Sequence, residues 1–122
     1  MKRIIVGIAL ACVVLNSAPA AAGCVIYEHR DFQGASWALE SGEALQMGGA
    51  ELGSNFQTIY YEPSWNDAVS SFSVTSDCKI TLWEHVGSSG GAGHRFVRSG
   101  KNVYYIGSNW NDQVSWVDCT CR

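Results

Sequence analysis

An all-β fold, two Greek-key motifs closed into one β-sandwich, is what this chain predicts, and three observations carry the prediction. Its apolar residues fall in short runs broken by Gly, Ser and Asn, with no sustained i, i+3, i+4 stripe, so the pattern is that of strands rather than helices. The chain also repeats itself. Cys24-Val25-Ile26-Tyr27-Glu28-His29 is answered by Cys78 to His85, and Tyr60 to Asp67 by Tyr104 to Asp112. Each copy holds four apolar runs and one long connection, the content of a Greek key, and two such keys make a sandwich.

The first 22 residues stand apart from that pattern. Lys2 and Arg3 precede an apolar run from Ile4 to Leu15, and the small residues Ser17 to Gly23 follow. Residues 1–22 therefore read as a secretory signal peptide, cleaved after Ala22 or Ala20. The run is shorter than the ~20 residues that a bilayer span requires. Residues 23–122 make one domain, with the first key at about 24–77 and the second at about 78–122. Without Lys2 and Arg3 the basic residues fall from eight to six against eleven acidic ones, moving the formal charge from -3 to -5. A thinly based, acidic chain has no footprint for nucleic acid, and it is expected to be monomeric.

Of five cysteines, Cys12 leaves with the signal, and Cys24, Cys78, Cys119 and Cys121 remain. An even count in an exported chain points to two disulfides and to an extracellular or periplasmic home. Zinc is the weaker alternative, because Cys119-Thr120-Cys121 lacks the paired CxxC or HxxxH spacing of a finger. The run Ala21-Ala22-Gly23-Cys24 also precedes a cysteine as in lipoproteins, which leaves a lipid anchor on Cys24 as a minor alternative.

In chain order the predicted strands are 24–29, 35–40, 57–61, 69–75, 79–84, 94–98, 102–106 and 113–119. Ser71-Phe72-Ser73-Val74 and Val114-Ser115-Trp116-Val117 alternate as half-buried strands do. The repeat offset is 56 residues at Tyr27/Trp83 and 45 at Asn66/Asn111, so the first copy carries about eleven extra residues between Gly34 and Tyr60. The segment Ser41 to Phe56 is expected to be a surface loop with one helical turn at Glu43 to Met47. Shortening such a loop changes closure entropy by well under ~1 kcal/mol. Ser88 to Gly93 is a glycine-rich hairpin tip, with no GxxxxGK[ST] to make it a phosphate cradle.

Chemistry concentrates in Trp65-Asn66-Asp67-Ala68-Val69-Ser70-Ser71 and its echo Trp110-Asn111-Asp112-Gln113-Val114-Ser115-Trp116. Amide, carboxylate and hydroxyl oxygens crowded into five residues suit a hard cation, which leaves nitrogen and sulfur to softer metals. The expectation is a calcium-binding module with about two ions. The leading Asn66 and Asn111 count among the candidate metal-site residues, and can alternatively close Asx turns and act structurally.

These residues resemble the microbial βγ-crystallins. That family's aromatic signature is matched by Tyr27-Glu28-His29-Arg30-Asp31-Phe32-Gln33-Gly34, and its (Asn/Asp)-(Asn/Asp)-x-x-(Ser/Thr)-Ser stretch by Asn66 to Ser71 and Asn111 to Ser115. Three departures stand out: Trp116 replaces the last serine, Ser88 replaces the second aromatic of the second signature, and the first copy is long between its second strand and the calcium stretch. The resemblance implies a swapped arrangement with Ala68 and Gln113 as backbone donors and Asp67, Ser70, Asp112 and Ser115 as side-chain donors. Backbone oxygens of Glu28 and Glu84 would complete the shells. It also implies that each opening strand lies beside the last strand of its own key, so that Cys78 pairs with Cys119 or Cys121 and Cys24 with the other.

An enzyme is disfavoured. His29, His85 and His94 sit in no HExxH or GxSxG context, and no glutamate pair is marked as acid and nucleophile. The resemblance implies a calcium-binding structural or stress-protective module. The alternative is a secreted effector on the same fold, a metalloproteinase inhibitor or killer-toxin-like protein acting through the 41–56 loop.

Overall fold

The computed structural model describes residues 23–52 and 58–122. The predicted signal peptide, with Cys12, lies outside the described residues, as does Phe56. Eight strands follow one another: β1 (Cys24–His29), β2 (Gln33–Leu39), β3 (Glu43–Gln46), β4 (Thr58–Tyr61), β5 (Ser71–Val74), β6 (Cys78–Val86), β7 (Gly91–Ser99) and β8 (Trp116–Cys121). They form a three-stranded sheet, β2-β1-β5, and a five-stranded sheet, β4-β3-β8-β6-β7. Among the described residues no helix is long and apolar enough to cross a membrane.

Alternation decides which side chains meet between the sheets. Ile26, Leu39, Phe72 and Val74 of the small sheet pack against Leu45, Ile80, Leu82 and Val117 of the large one, all buried. As expected, β1 lies antiparallel to β5 and β6 antiparallel to β8. One disulfide, Cys24–Cys119, ties the two sheets together, and the other, Cys78–Cys121, joins directly opposed residues of β6 and β8. Both pairings lie within the set that the resemblance allowed. A lipid on Cys24 is overturned, because its sulfur is bonded to Cys119 and its side chain is fully buried. Gly23 lies against both bridges: a Cβ there would come within 2.6 Å of the sulfurs of Cys78 and Cys121.

Three expectations need correction. Glu43 to Met47 is not a helical turn on the surface. Glu43–Gln46 is a strand held between β4 and β8, Leu45 and Met47 belong to the core, and Gln46 is wholly buried. The buried Gln46 amide is satisfied by the segment that follows: Nε2 donates to the carbonyls of Gly48 (2.9 Å) and Ala50 (2.7 Å), and Oε1 accepts from Leu52 N (3.0 Å). Alternation misled here because Ala44, Leu45, Gln46 and Met47 are buried in succession, so neither face of β3 is left to solvent.

Residues 102–106 do not form a strand of their own. They make one bridge, Val103 to Phe72, and Ile106 N donates to Ser70 O at 2.8 Å. On the other side of the pseudo-twofold, β3 does the same for β8, with Leu45 opposite Val117 and Met47 N donating to Ser115 O at 2.9 Å. The counterpart of 102–106 is therefore β3, whereas β4 is an added strand lying parallel to β3. The paired tyrosines at 60–61 and 104–105 suggested the wrong equivalence.

The third correction concerns the hairpins. Gln33 faces His29 four residues on, but Ala92 faces His85 seven residues on, so the second hairpin is three residues longer. Gly34 is matched by Gly93, not Gly90, and their φ values of 82° and 81° agree. The site of the second aromatic, Phe32 in the first copy, is then Gly91 rather than Ser88. The Trp83 ring fills it, since a Cβ on Gly91 would collide with that ring.

Candidate functional site

Each Asn-Asp stretch is delivered by a tight turn. Pro63–Trp65 is one turn of 3-10 helix, closed at its start by the Glu62 carboxylate, which accepts from Ser64 N (3.3 Å) and Ser64 Oγ (2.9 Å). Buried Trp65 anchors it, and Ala68 N donates to Trp65 O at 3.0 Å. The second copy repeats this bond, Gln113 N to Trp110 O at 2.9 Å. Both stretches then enter the sandwich in the same way: Ser70 N donates to Tyr27 O and Ser115 N to Trp83 O, each at 2.9 Å. Glu28 and Glu84, the predicted backbone donors, are next in line on those strands.

The two stretches are stitched to each other. Ser115 Oγ donates to Asn66 Oδ1 at 3.0 Å, Asn111 Nδ2 donates to Ser70 Oγ at 3.3 Å, and Asp67 N donates to Val114 O at 3.1 Å. The leading asparagine of each stretch thus holds the serine of the other. Asp67 adopts a left-handed backbone, φ 61°, a region that Asp tolerates better than most side chains. Partial burial, with the nearby Asp112 carboxylate adding to it, pushes the Asp67 carboxyl above its usual range. Two carboxylates that repel across paired turns form an arrangement a divalent cation would neutralise, and the surrounding donors are the hard oxygens that calcium takes.

The halves differ in what borders them. Gly48 of the first copy abuts the Ser115–Asn66 pair: a Cβ on Gly48 would lie 3.0 Å from Ser115 Oγ and 3.1 Å from Asn66 Oδ1. Nothing in the local sequence marked that contact. Ser70 is the more buried of the two serines, at 6% exposure. The side chains of Glu28 and Glu84 turn to imidazoles instead, Glu28 to His29 at 3.5 Å and Glu84 to His85 and His94 at 3.3 Å each.

Outside the stretches, Asp118 is a half-buried carboxylate whose Oδ2 accepts from both Trp83 Nε1 and Trp116 Nε1 at 3.1 Å. Burial raises its pKa, and the two indoles, Lys79 and Thr81 pull it partly back. Exposed aromatics lie at Phe32, Tyr60, Tyr61 and Tyr104. Arg30 stacks on Tyr105 at 4.5 Å.

Comparison with known proteins gives two kinds of match. The model of a family described as "Peptidase inhibitor family I36" matches residues 16–92, a span that takes in Asn66–Ser71 and stops before Asn111. Solved structures with the same fold include a βγ-crystallin domain from Clostridium beijerinckii, 17% identical, with a TM-score of 0.57 over 80% of this chain and 97% of that one. A βγ-crystallin domain from Flavobacterium johnsoniae is also 17% identical, with a TM-score of 0.58 over 81% of this chain and 94% of its own. The N-terminal domain of Protein S is 20% identical, with a TM-score of 0.56 over 82% and 97%. No curated protein matches the chain. At these identities the likeness speaks for the fold, which is that of the βγ-crystallins.

Proposed function

The chain belongs to peptidase inhibitor family I36, and on that premise we propose that it is an exported, non-enzymatic inhibitor of extracellular peptidases, built on a βγ-crystallin scaffold that calcium stabilises. The family match over residues 16–92 carries the inhibitory reading. A domain cross-linked both between and within its sheets supports it, because an inhibitor held in one conformation loses little entropy on docking. Within the 41–56 segment, Glu43–Gln46 is built into the large sheet and Met47 into the core, so these residues do not belong to a free loop. Titrating metallo-, serine and cysteine peptidases with the disulfide-intact protein should give stoichiometric inhibition of at least one class. Full activity of all three at a large excess of inhibitor would remove the reading.

A second property is favoured by the crossed hydrogen bonds of Asn66, Ser70, Asn111 and Ser115 and by the opposed Asp67 and Asp112. We infer about two calcium ions, with Asp67, Ser70, Asp112 and Ser115 as side-chain donors and with the backbone oxygens of Ala68, Gln113, Glu28 and Glu84. One carboxylate per ion points to the weak extracellular range of ~10⁻⁴ to 10⁻³ M. At ten times the dissociation constant, one such ion adds only about 1.4 kcal/mol, so calcium tunes stability and does not decide folding.

A further inference from the structure

A carboxylate and two imidazoles meet where β6 and β7 run past the core. Glu84 Oε1 lies 3.3 Å from His85 Nε2 and 3.3 Å from His94 Nδ1. The ladder between these strands shifts register between Trp83 and His85, which lets the consecutive Glu84 and His85 bear on one point. Gly93 keeps the space open: a Cβ there would come within 2.9 Å of His85 Cδ2 and 3.1 Å of Glu84 Oε1. The first copy repeats the framework, with Glu28 beside His29 at 3.5 Å and Gly34 beneath them. By the ladder register its counterpart of His94 is Ala35, so that copy brings one imidazole where the second copy brings two.

We propose that the side chains of Glu84, His85 and His94 bind a borderline transition-metal cation of the Zn²⁺ and Ni²⁺ class, a site that adjoins one calcium half-site and uses the Glu84 carboxylate where that half-site uses its backbone oxygen. Two imidazole nitrogens and one carboxylate oxygen are a set that zinc takes at about 2.0–2.2 Å, with water completing the shell, and nitrogen donors select against calcium. As they stand, the three ligand atoms spread wider than 4.8 Å; among the described residues only sulfurs of the disulfide cluster gather within that limit. Closing on an ion therefore requires the imidazoles to swing inward. Their side chains are 69% and 88% exposed, which leaves them room to turn. Glu84 is the more buried anchor at 27%.

The test is calorimetric titration of the untagged, disulfide-intact protein with Zn²⁺ alone, in saturating calcium to fill the half-sites. One ion per chain is expected. His94→Ala should weaken binding by at least the ~10–100-fold that loss of even an outer-shell partner costs, whereas His29→Ala should leave it unchanged. In the imidazole NMR spectrum, Zn²⁺ should shift His85 and His94 but not His29. No binding by the parent protein, equal binding by parent and His94→Ala, or equal sensitivity to His29→Ala would each overturn the proposal. Because both histidines are exposed, their alanine variants are expected to fold; a melting temperature matching the parent's confirms that any loss is one of ligand.

Discussion

The two Greek keys start from one plan and diverge where each sends a segment across to the other sheet. In the second key the crossing segment, 102–106, contributes a single bridge to Phe72 and one buried side chain, Ile106. In the first key it is a full strand, β3, followed by buried Met47, and it recruits β4 as a further neighbour. Meanwhile the Asn-Asp-x-x-Ser turns share three backbone hydrogen bonds: Trp65 N to Glu62 O with Trp110 N to Gly107 O, Ala68 N to Trp65 O with Gln113 N to Trp110 O, and Ser70 N to Tyr27 O with Ser115 N to Trp83 O. The contrast teaches that the turns tolerate little change, because each is pinned to the opening strand of its own key and to the other turn, while the crossing segment can be rebuilt as long as it still caps the adjoining serine.

The largest expected effect breaks that contrast at β3. Deleting Gln46 to Ser54 should abolish folding, not shorten a tolerant loop, because it removes a buried glutamine whose amide organises 48–52 and a methionine of the core. Met47→Ala should cost about 2–5 kcal/mol, and Ile106→Ala, its counterpart, a similar amount. Urea unfolding of both variants checks this. A Met47→Ala protein as stable as the parent would show that the segment is peripheral.

Next come the bridges. Replacing Cys24 and Cys119 by alanine should cost about 2–5 kcal/mol. The Cys78–Cys121 pair spans 43 residues against 95, so chain entropy makes its removal milder by about 0.7 kcal/mol. Thermal melts of the two double variants give the order, and a reversal would mean that native packing rather than loop closure dominates.

A smaller effect, confined to the second key, depends on pH. Asp118 has its folded pKa raised above the usual carboxylate value, mainly by burial. Its stabilising contribution is therefore complete below the unfolded pKa and is lost as pH rises through the folded one. Asp118→Asn should show the same stability as the parent in acid and gain on it towards neutral pH. A stability difference that stays constant across that range would remove the assignment.

How much of this was legible beforehand depends on which contacts are local. The strands β1, β2, β5, β6 and β7 announce themselves through alternation and glycine punctuation, and Asn66 to Ser70 through donor chemistry packed into five residues. β3 did not, because both of its faces are covered and Ala44-Leu45-Gln46-Met47 carries no period of two. Nor did the longer second hairpin, since spacing alone set Gly90 against Gly34, and only the ladder register shows Gly93 in its place. Gly48 against Ser115 is a contact between segments remote in the chain, which no local pattern encodes; His94 and Glu84 share one hairpin, and their contact depends on its register.

Calcium titration of the disulfide-intact protein by calorimetry bears most directly on the claim that the two turns are one pair of half-sites. The parent should bind about two ions, and Asp67→Ala with Asp112→Ala should abolish the signal while circular dichroism stays β-rich. A silent parent, or a double variant that binds as the parent does, would contradict it.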